Sequence, residues 1–170
     1  MTEPIPSRLT RRSLMPLLCA LLILAGAFPL SAREEDGGAT TRRVVVDPMT
    51  GFAIGGYDPV AYFAEGRAVE GQSRIEASWG GAIWRFANLG NRDAFLEAPD
   101  IYAPRFGGYC ARGAAIGVAV EGDPRVFAIH GGHLYFFHTE SDRARWRLAP
   151  DPHIGAAEKN WPRLEQMLAE

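Results

Sequence analysis

The feature that most limits what this chain can fold into is an internal repeat. The stretch from Trp79 to Pro99 returns in looser form from His130 to Pro150, at a constant offset of 51 residues. Gly80, Gly81, Ile83, Phe86, Arg92, Ala98 and Pro99 line up with Gly131, Gly132, Leu134, Phe137, Arg143, Ala149 and Pro150, while Trp84 meets Tyr135 and Phe95 meets Trp146. The match continues upstream. Gly66 and Val69-Glu70-Gly71 correspond to Gly117 and Val120-Glu121-Gly122, and Gly55-Gly56-Tyr57 corresponds to Gly107-Gly108-Tyr109 with one extra residue. A repeat of this kind sets the unit from which the fold is read.

Each copy reads as a loop or short helix, a hairpin and a helix. With Gly80-Gly81 as a two-residue turn, Trp79 pairs with Ala82, Ser78 with Ile83, Ala77 with Trp84, Glu76 with Arg85 and Ile75 with Phe86. One face is then wholly apolar, and a one-residue slip would turn it to water. The same register in the second copy pairs His130 with His133, Ile129 with Leu134, Ala128 with Tyr135, Phe127 with Phe136, Val126 with Phe137 and Arg125 with His138. Both faces of this second hairpin are apolar, which predicts a deeper position between other layers.

Local signals supply the remaining elements. Arg43 to Val46 is a strand candidate, followed by a turn at Asp47-Pro48 and Gly51. Asp58 caps a short helix with Pro59 at its first position. Asn88 or Asn91 caps a helix that Pro99 stops, and Thr139 with Asp142 forms a near capping box for a helix that Pro150 ends. Beyond it the sequence predicts two helices, one from about Pro152 to Asn160 and another from Pro162, because an internal proline opposes one continuous helix. The expected class is α+β: two tandem β-hairpin–α-helix units forming one small domain over residues 44–170, with a helical C-terminus.

The N-terminus reads differently. Arg8, Arg11 and Arg12 precede an apolar run from Leu14 to Leu30, and Ser31-Ala32 offers a small-residue cleavage point, with Ala27 as the alternative. Thr10-Arg11-Arg12-Ser13-Leu14 fits a twin-arginine signal, so residues 1–32 are expected to direct export and residues 33–43 to form a flexible leader. The expected location is periplasmic or secreted, with no membrane attachment after cleavage. Residues 1–32 take with them three arginines and one glutamate, leaving 15 basic and 19 acidic residues and a formal charge of −4. That balance excludes a nucleic-acid surface. Export also removes Cys19, so Cys110 is the single thiol of the mature chain, and a disulfide within it is impossible.

Several segments together resemble the YHS domain family, in its exported bacterial branch. They are Gly56-Tyr57-Asp58-Pro59-Val60-Ala61-Tyr62-Phe63, Trp84-Arg85-Phe86-Ala87, Asn91-Arg92-Asp93-Ala94-Phe95, Tyr102-Ala103-Pro104, Gly107-Gly108-Tyr109-Cys110-Ala111 and Asn160-Trp161-Pro162. The resemblance implies a treble-clef-like fold whose metal-binding form holds one cysteine after an Asp-Pro-Val and two more where the hairpin enters the helix. This chain departs from that pattern with Ala61, Ala87 and Asn91 at those positions.

The repeat carries the question to the second copy, where Ala87 maps to His138 and Asn91 to Asp142. With Cys110 in the loop matching Asp58-Pro59, the residues Cys110, His138 and Asp142 are a candidate three-ligand site for Zn or Cu, and the structural alternative makes them a packed thiol, a strand end and a helix cap. His130 and His133 flank a turn and are a second candidate pair, or two tolerated surface histidines. Cys110 is also a candidate reactive thiol if Arg105, Arg112 or His138 lowers its pKa. The sequence thus supports an exported, non-catalytic binding domain for a metal or small ligand, with a Cys110-based redox or metal-dependent enzyme as the alternative. A deep cavity between the copies would favour a ligand; a filled seam would favour an accessory or partner-binding role.

Overall fold

The computed structural model describes residues 44–169, so the expected export signal and leader lie outside the described residues. Copy one opens with a left-handed turn at Ile54–Gly56, then α1 (Ala61–Ala64), β1 (Gln72–Trp79), β2 (Ala82–Phe86), α2 (Leu89–Glu97) and α3 (Pro99–Tyr102). Copy two repeats this order with a turn at Arg105–Gly108, α4 (Ala111–Ala115), β3 (Asp123–His130), β4 (His133–Phe137) and α5 (Glu140–Arg147), after which α6 (Pro150–Ala169) closes the chain. The two antiparallel hairpins remain separate two-stranded sheets. The fold is α+β, as the alternation of hairpin and helix signals predicts.

The repeat is real in three dimensions because equivalent backbone groups make equivalent bonds. Gly71 N donates to Gly56 O at 2.9 Å and Gly122 N to Gly108 O at 3.1 Å; Asp58 N donates to Val69 O at 2.8 Å and Cys110 N to Val120 O at 2.7 Å. Tyr57 bridges Glu70 as Tyr109 bridges Glu121. Both opening turns hold a bulky residue at positive φ, Ile54 at 46° and Phe106 at 55°, ahead of two glycines that are also left-handed. Such a conformation is an outlier for a β-branched residue, and here it drives Ile54 and Phe106 into the two cores, where each is nearly fully buried.

The hairpin tips pair in the expected register, and the other ends do not. Trp79↔Ala82 through Glu76↔Arg85 is followed by Gln72↔Phe86 rather than Ile75 with Phe86. In the second hairpin Asp123↔Phe137 replaces Val126 with Phe137, and Arg125 is not paired with His138. The cause is a bulge in both first strands, next to a glycine that the partner strand crowds. A Cβ on Gly71 would lie 2.6 Å from the Arg85 carbonyl carbon, and one on Gly122 would lie 2.5 Å from Phe136 Cβ. Bulges of this kind bend a strand and re-aim its side chains; Ile75 and Val126 still reach the cores.

β4 is the wall shared by two cores. Its alternation sends Leu134 and Phe136 into a cluster with Ile54, Tyr62, Trp84, Phe86 and Phe95, and sends Tyr135 and Phe137 into one with Phe106, Cys110, Trp146 and Leu164. Burial of each such side chain contributes about 1.5–3 kcal/mol, so β4 ties the copies together, in agreement with its two-faced apolar sequence.

The helix ends follow local chemistry. Asn88 Oδ1 accepts from Asn91 N at 2.8 Å to cap α2, and Thr139 Oγ1 accepts from Asp142 N at 3.1 Å to cap α5. Pro150 begins α6, the position where its missing N–H costs nothing. The expected break at Pro162 does not occur, and α6 runs through it as one helix. Asn160 Nδ2 donates to Ala114 O and Ala115 O at 3.0 Å each, and Ala157 and Leu164 are buried, so packing on α4 holds both sides of the proline in register. The expected strand at Arg43 to Val46 reduces, over its described residues, to a bridge from Val46 to Ala53 and the bond of Val45 N to Gly107 O at 2.7 Å. No helix among the described residues is long and apolar enough to cross a membrane.

Candidate functional site

The candidate ligands fall at two corners, where a short helix meets the exit of its hairpin. In copy one the corner is organised by Asp58, the one buried charged residue among the described residues, at 0% exposure. Its Oδ1 accepts from Val60 N at 2.8 Å and Ala61 N at 3.3 Å. Its Oδ2 accepts from Ala87 N at 2.8 Å and Asn91 Nδ2 at 2.6 Å. Ala61, Ala87 and Asn91 do converge on one point, and that point is a side-chain carboxyl. Four donors face two oxygens, so the corner is stapled by the protein itself.

Copy two keeps the geometry and changes the groups. Cys110 stands in the place of Asp58, is buried, and its Sγ accepts from Gly113 N at 3.4 Å to cap α4. Asp142, in the place of Asn91, is held by Arg112 Nη1 at 3.1 Å and by Thr139 Oγ1 at 2.7 Å. His138 is exposed, and its Nδ1 lies 3.0 Å from Glu121 O; since a carbonyl can only accept, Nδ1 carries the proton. Among the described residues no three His, Cys, Asp or Glu side chains form a group able to hold a metal. The expected set of Cys110, His138 and Asp142 is therefore not assembled as ligands. A fixed guanidinium already neutralises Asp142, the Cys110 sulfur belongs to an apolar core, and His138 is tied to a strand carbonyl.

The second candidate pair is also committed elsewhere. His130 and His133 face each other across the turn as expected. His130 Nε2, however, lies 2.8 Å from Asp151 Oδ1, and its ring stands edge-on to Trp146 at 5.6 Å. That contact ties the second hairpin to the start of α6.

The seam between the copies is filled. Tyr62 is fully buried, stacks edge-on to Phe127 at 4.8 Å and lies 5.3 Å from Phe136. Its hydroxyl donates to Pro124 O at 3.0 Å. Burial, and then the neighbouring Tyr57, Asp123 and Asp58, push the Tyr62 phenol far above its usual range, so it is a structural donor rather than an acid or base. At the edge of the seam a cleft of about 160 Å³ remains, lined by Val45 to Pro48, Ile54, Gly55, Glu121, Gly122 and Pro124. It does not border Cys110.

The residues that sequence reasoning missed are those whose partners are distant in the chain. Asp58 is legible as a local cap, and nothing in its neighbourhood foretells Ala87 and Asn91. Arg112 meets Asp142 across 30 residues. Asp47 and Glu121, at the cleft, carried a signal only as a turn residue and as part of the repeat. Compared with protein-family models, curated proteins and solved structures, the chain matches none.

Proposed function

We propose that the mature chain is an exported, YHS-like binding domain that acts as a non-catalytic accessory module holding a protein partner. The observation that carries this reading is that every corner where a ligand was expected is closed by an intramolecular partner, while the seam between the copies is packed with Tyr62, Phe127 and Phe136. The likeness to the YHS pattern is supported by the convergence of Ala61, Ala87 and Asn91 on Asp58, since those are the positions the resemblance assigns to one site. A carboxyl with four donors replaces there what three thiolates and a metal would do, which is to staple a hairpin to two flanking segments.

The test is to purify the mature protein from its own compartment and measure bound metals, native mass and labelling of Cys110 by a thiol reagent. The expected outcome is no stoichiometric Zn or Cu, labelling of Cys110 only after denaturation, and a native mass above that of the monomer owing to a different protein. Stoichiometric metal or rapid labelling of Cys110 in the native state would overturn the reading in favour of a metal-dependent or thiol-based enzyme.

A further inference from the structure

We infer that the seam cleft receives a single lysine or arginine side chain from an extended segment of a partner polypeptide. This deepens the accessory-module reading and rests on it. Three observations lead to it, beginning with size. Sites for small organic ligands enclose roughly 300–1,000 Å³, whereas this cleft offers about 160 Å³. On that scale the cleft is too small for a cofactor and leaves room for a single long side chain.

The second observation is the lining. Val45, Ile54, Pro48 and Pro124 are the apolar residues of the lining, and Asp47 and Glu121 are its two acidic residues. An aliphatic stem ending in a cation matches both at once, because lysine and arginine bury their methylenes along apolar surface while presenting the charge at the end. The third is that neither acid is neutralised by another of the described residues. Asp47 Oδ1 accepts from Met49 N, Thr50 N and Thr50 Oγ1, which leaves Oδ2 without a hydrogen bond among the described residues. Those bonds, the Thr50 backbone bond first, hold its carboxyl below the usual range, so it stays charged. Glu121 is exposed and has no side-chain partner among the described residues. The nearby Arg125 is committed to Asp123, with Nε 3.0 Å from Oδ1 and Nη2 2.9 Å from Oδ2.

The cleft is also preformed. Its floor is the left-handed turn at Ile54–Gly56, pinned by Ile54 N to Val45 O at 3.0 Å and by Gly56 N to Ala53 O at 2.9 Å. A rigid floor leaves little ordering cost for the incoming side chain.

The experiment titrates the ¹⁵N-labelled mature protein with three capped tripeptides, Ala-Arg-Ala, Ala-Lys-Ala and the neutral Ala-Gln-Ala, at low salt. The expected result is saturable amide shifts at Val45, Val46, Gly55, Glu121 and Gly122 with the two cationic peptides alone, weakening as salt is raised. Glu121→Gln, which removes no side-chain bond among the described residues and should melt with the wild type, should weaken binding by about two- to fivefold, the scale of one exposed charge pair. Absence of localised shifts, equal shifts with the glutamine peptide, or stronger shifts of the same amides with millimolar Ca²⁺ alone would overturn the inference. If the native protein retains its partner equally well as Glu121→Gln, the cleft assignment fails and the accessory role stands. If the wild type carries no partner, the accessory role fails and the peptide titration still decides the cleft.

Discussion

Replacing Asp58 with alanine separates a staple from a merely tolerated buried acid. The variant removes the acceptor of two distant donors, Ala87 N and Asn91 Nδ2, and of two local ones, Val60 N and Ala61 N. A fully buried donor left unpaired costs about 1–3 kcal/mol, the part-buried Ala87 N and Asn91 Nδ2 fall at the low end of that range, and loss of the local cap adds about 1 kcal/mol. Against this, the fold no longer has to desolvate a carboxyl group, which offsets several kcal/mol. A net loss of about 3 kcal/mol results, and for a domain of this size that lowers Tm by roughly 10–15 °C. Cys110→Ala provides the control at the matching position of copy two. There the thiol accepts one long bond, from Gly113 N at 3.4 Å, and its removal should cost only about 1–2 kcal/mol. Urea unfolding of both variants, followed by far-UV circular dichroism, gives the comparison. Should Asp58→Ala lose no more stability than Cys110→Ala, the four-donor corner is not what holds the first hairpin to its helices.

Two further outcomes are expected. Gly71→Ala and Gly122→Ala should each destabilise the fold by several kcal/mol, because the new Cβ meets rigid backbone or Cβ atoms of the neighbouring strand; similar losses in both, read from urea midpoints, would tie the repeat to energetics, and a neutral result in either would break the equivalence. Acid unfolding should depend on Asp123, whose carboxyl is held below the ordinary value of 3.8 chiefly by the Arg125 side chain, against the opposing effect of burial. A depressed folded pKa contributes stability that is present above the unfolded pKa and lost as pH falls through the folded one. Asp123→Asn should therefore lower Tm slightly at neutral pH, where the charged group contributes, and flatten its fall below about pH 4 so that variant and wild type converge in acid; an unchanged acid slope would refute that assignment.

What the sequence made legible and what it hid divide along the range of the interactions. The hairpin tips were readable because Gly80-Gly81 and Gly131-Gly132 specify a turn whose register follows from apolar alternation a few residues away. The bulges were not, because they arise where Gly71 meets Arg85 and Gly122 meets Phe136, approaches that exist only once the strands are paired. Pro162 argued for a break on local grounds, and contacts between Asn160 and the end of α4 overrode it. Ala61, Ala87 and Asn91, the positions that the resemblance places together, meet at the Asp58 carboxyl group, which local sequence explains already as a helix cap. In copy two the mapped positions His138 and Asp142 were chemically able to bind a metal, and a cation 30 residues away from Asp142, on Arg112, had already taken that carboxyl.

The contrast between the copies bears on where recognition can reside. A corner that joins helix, hairpin exit and next helix must be closed by something, because it gathers backbone donors that cannot be left unpaired in a core. Copy one closes it with Asp58 and Asn91, while copy two uses Cys110 at the helix cap and the Arg112–Asp142 pair at the rim. Different side chains in one geometry indicate that closure, rather than a particular chemistry, is the common requirement. Groups spent on closure are unavailable to a partner, and the aromatic residues of the seam are spent on packing. Among the described residues lining the cleft, Asp47 and Glu121 make no ion pair, so the cationic side chain proposed for that cleft would meet charges that closure has not used.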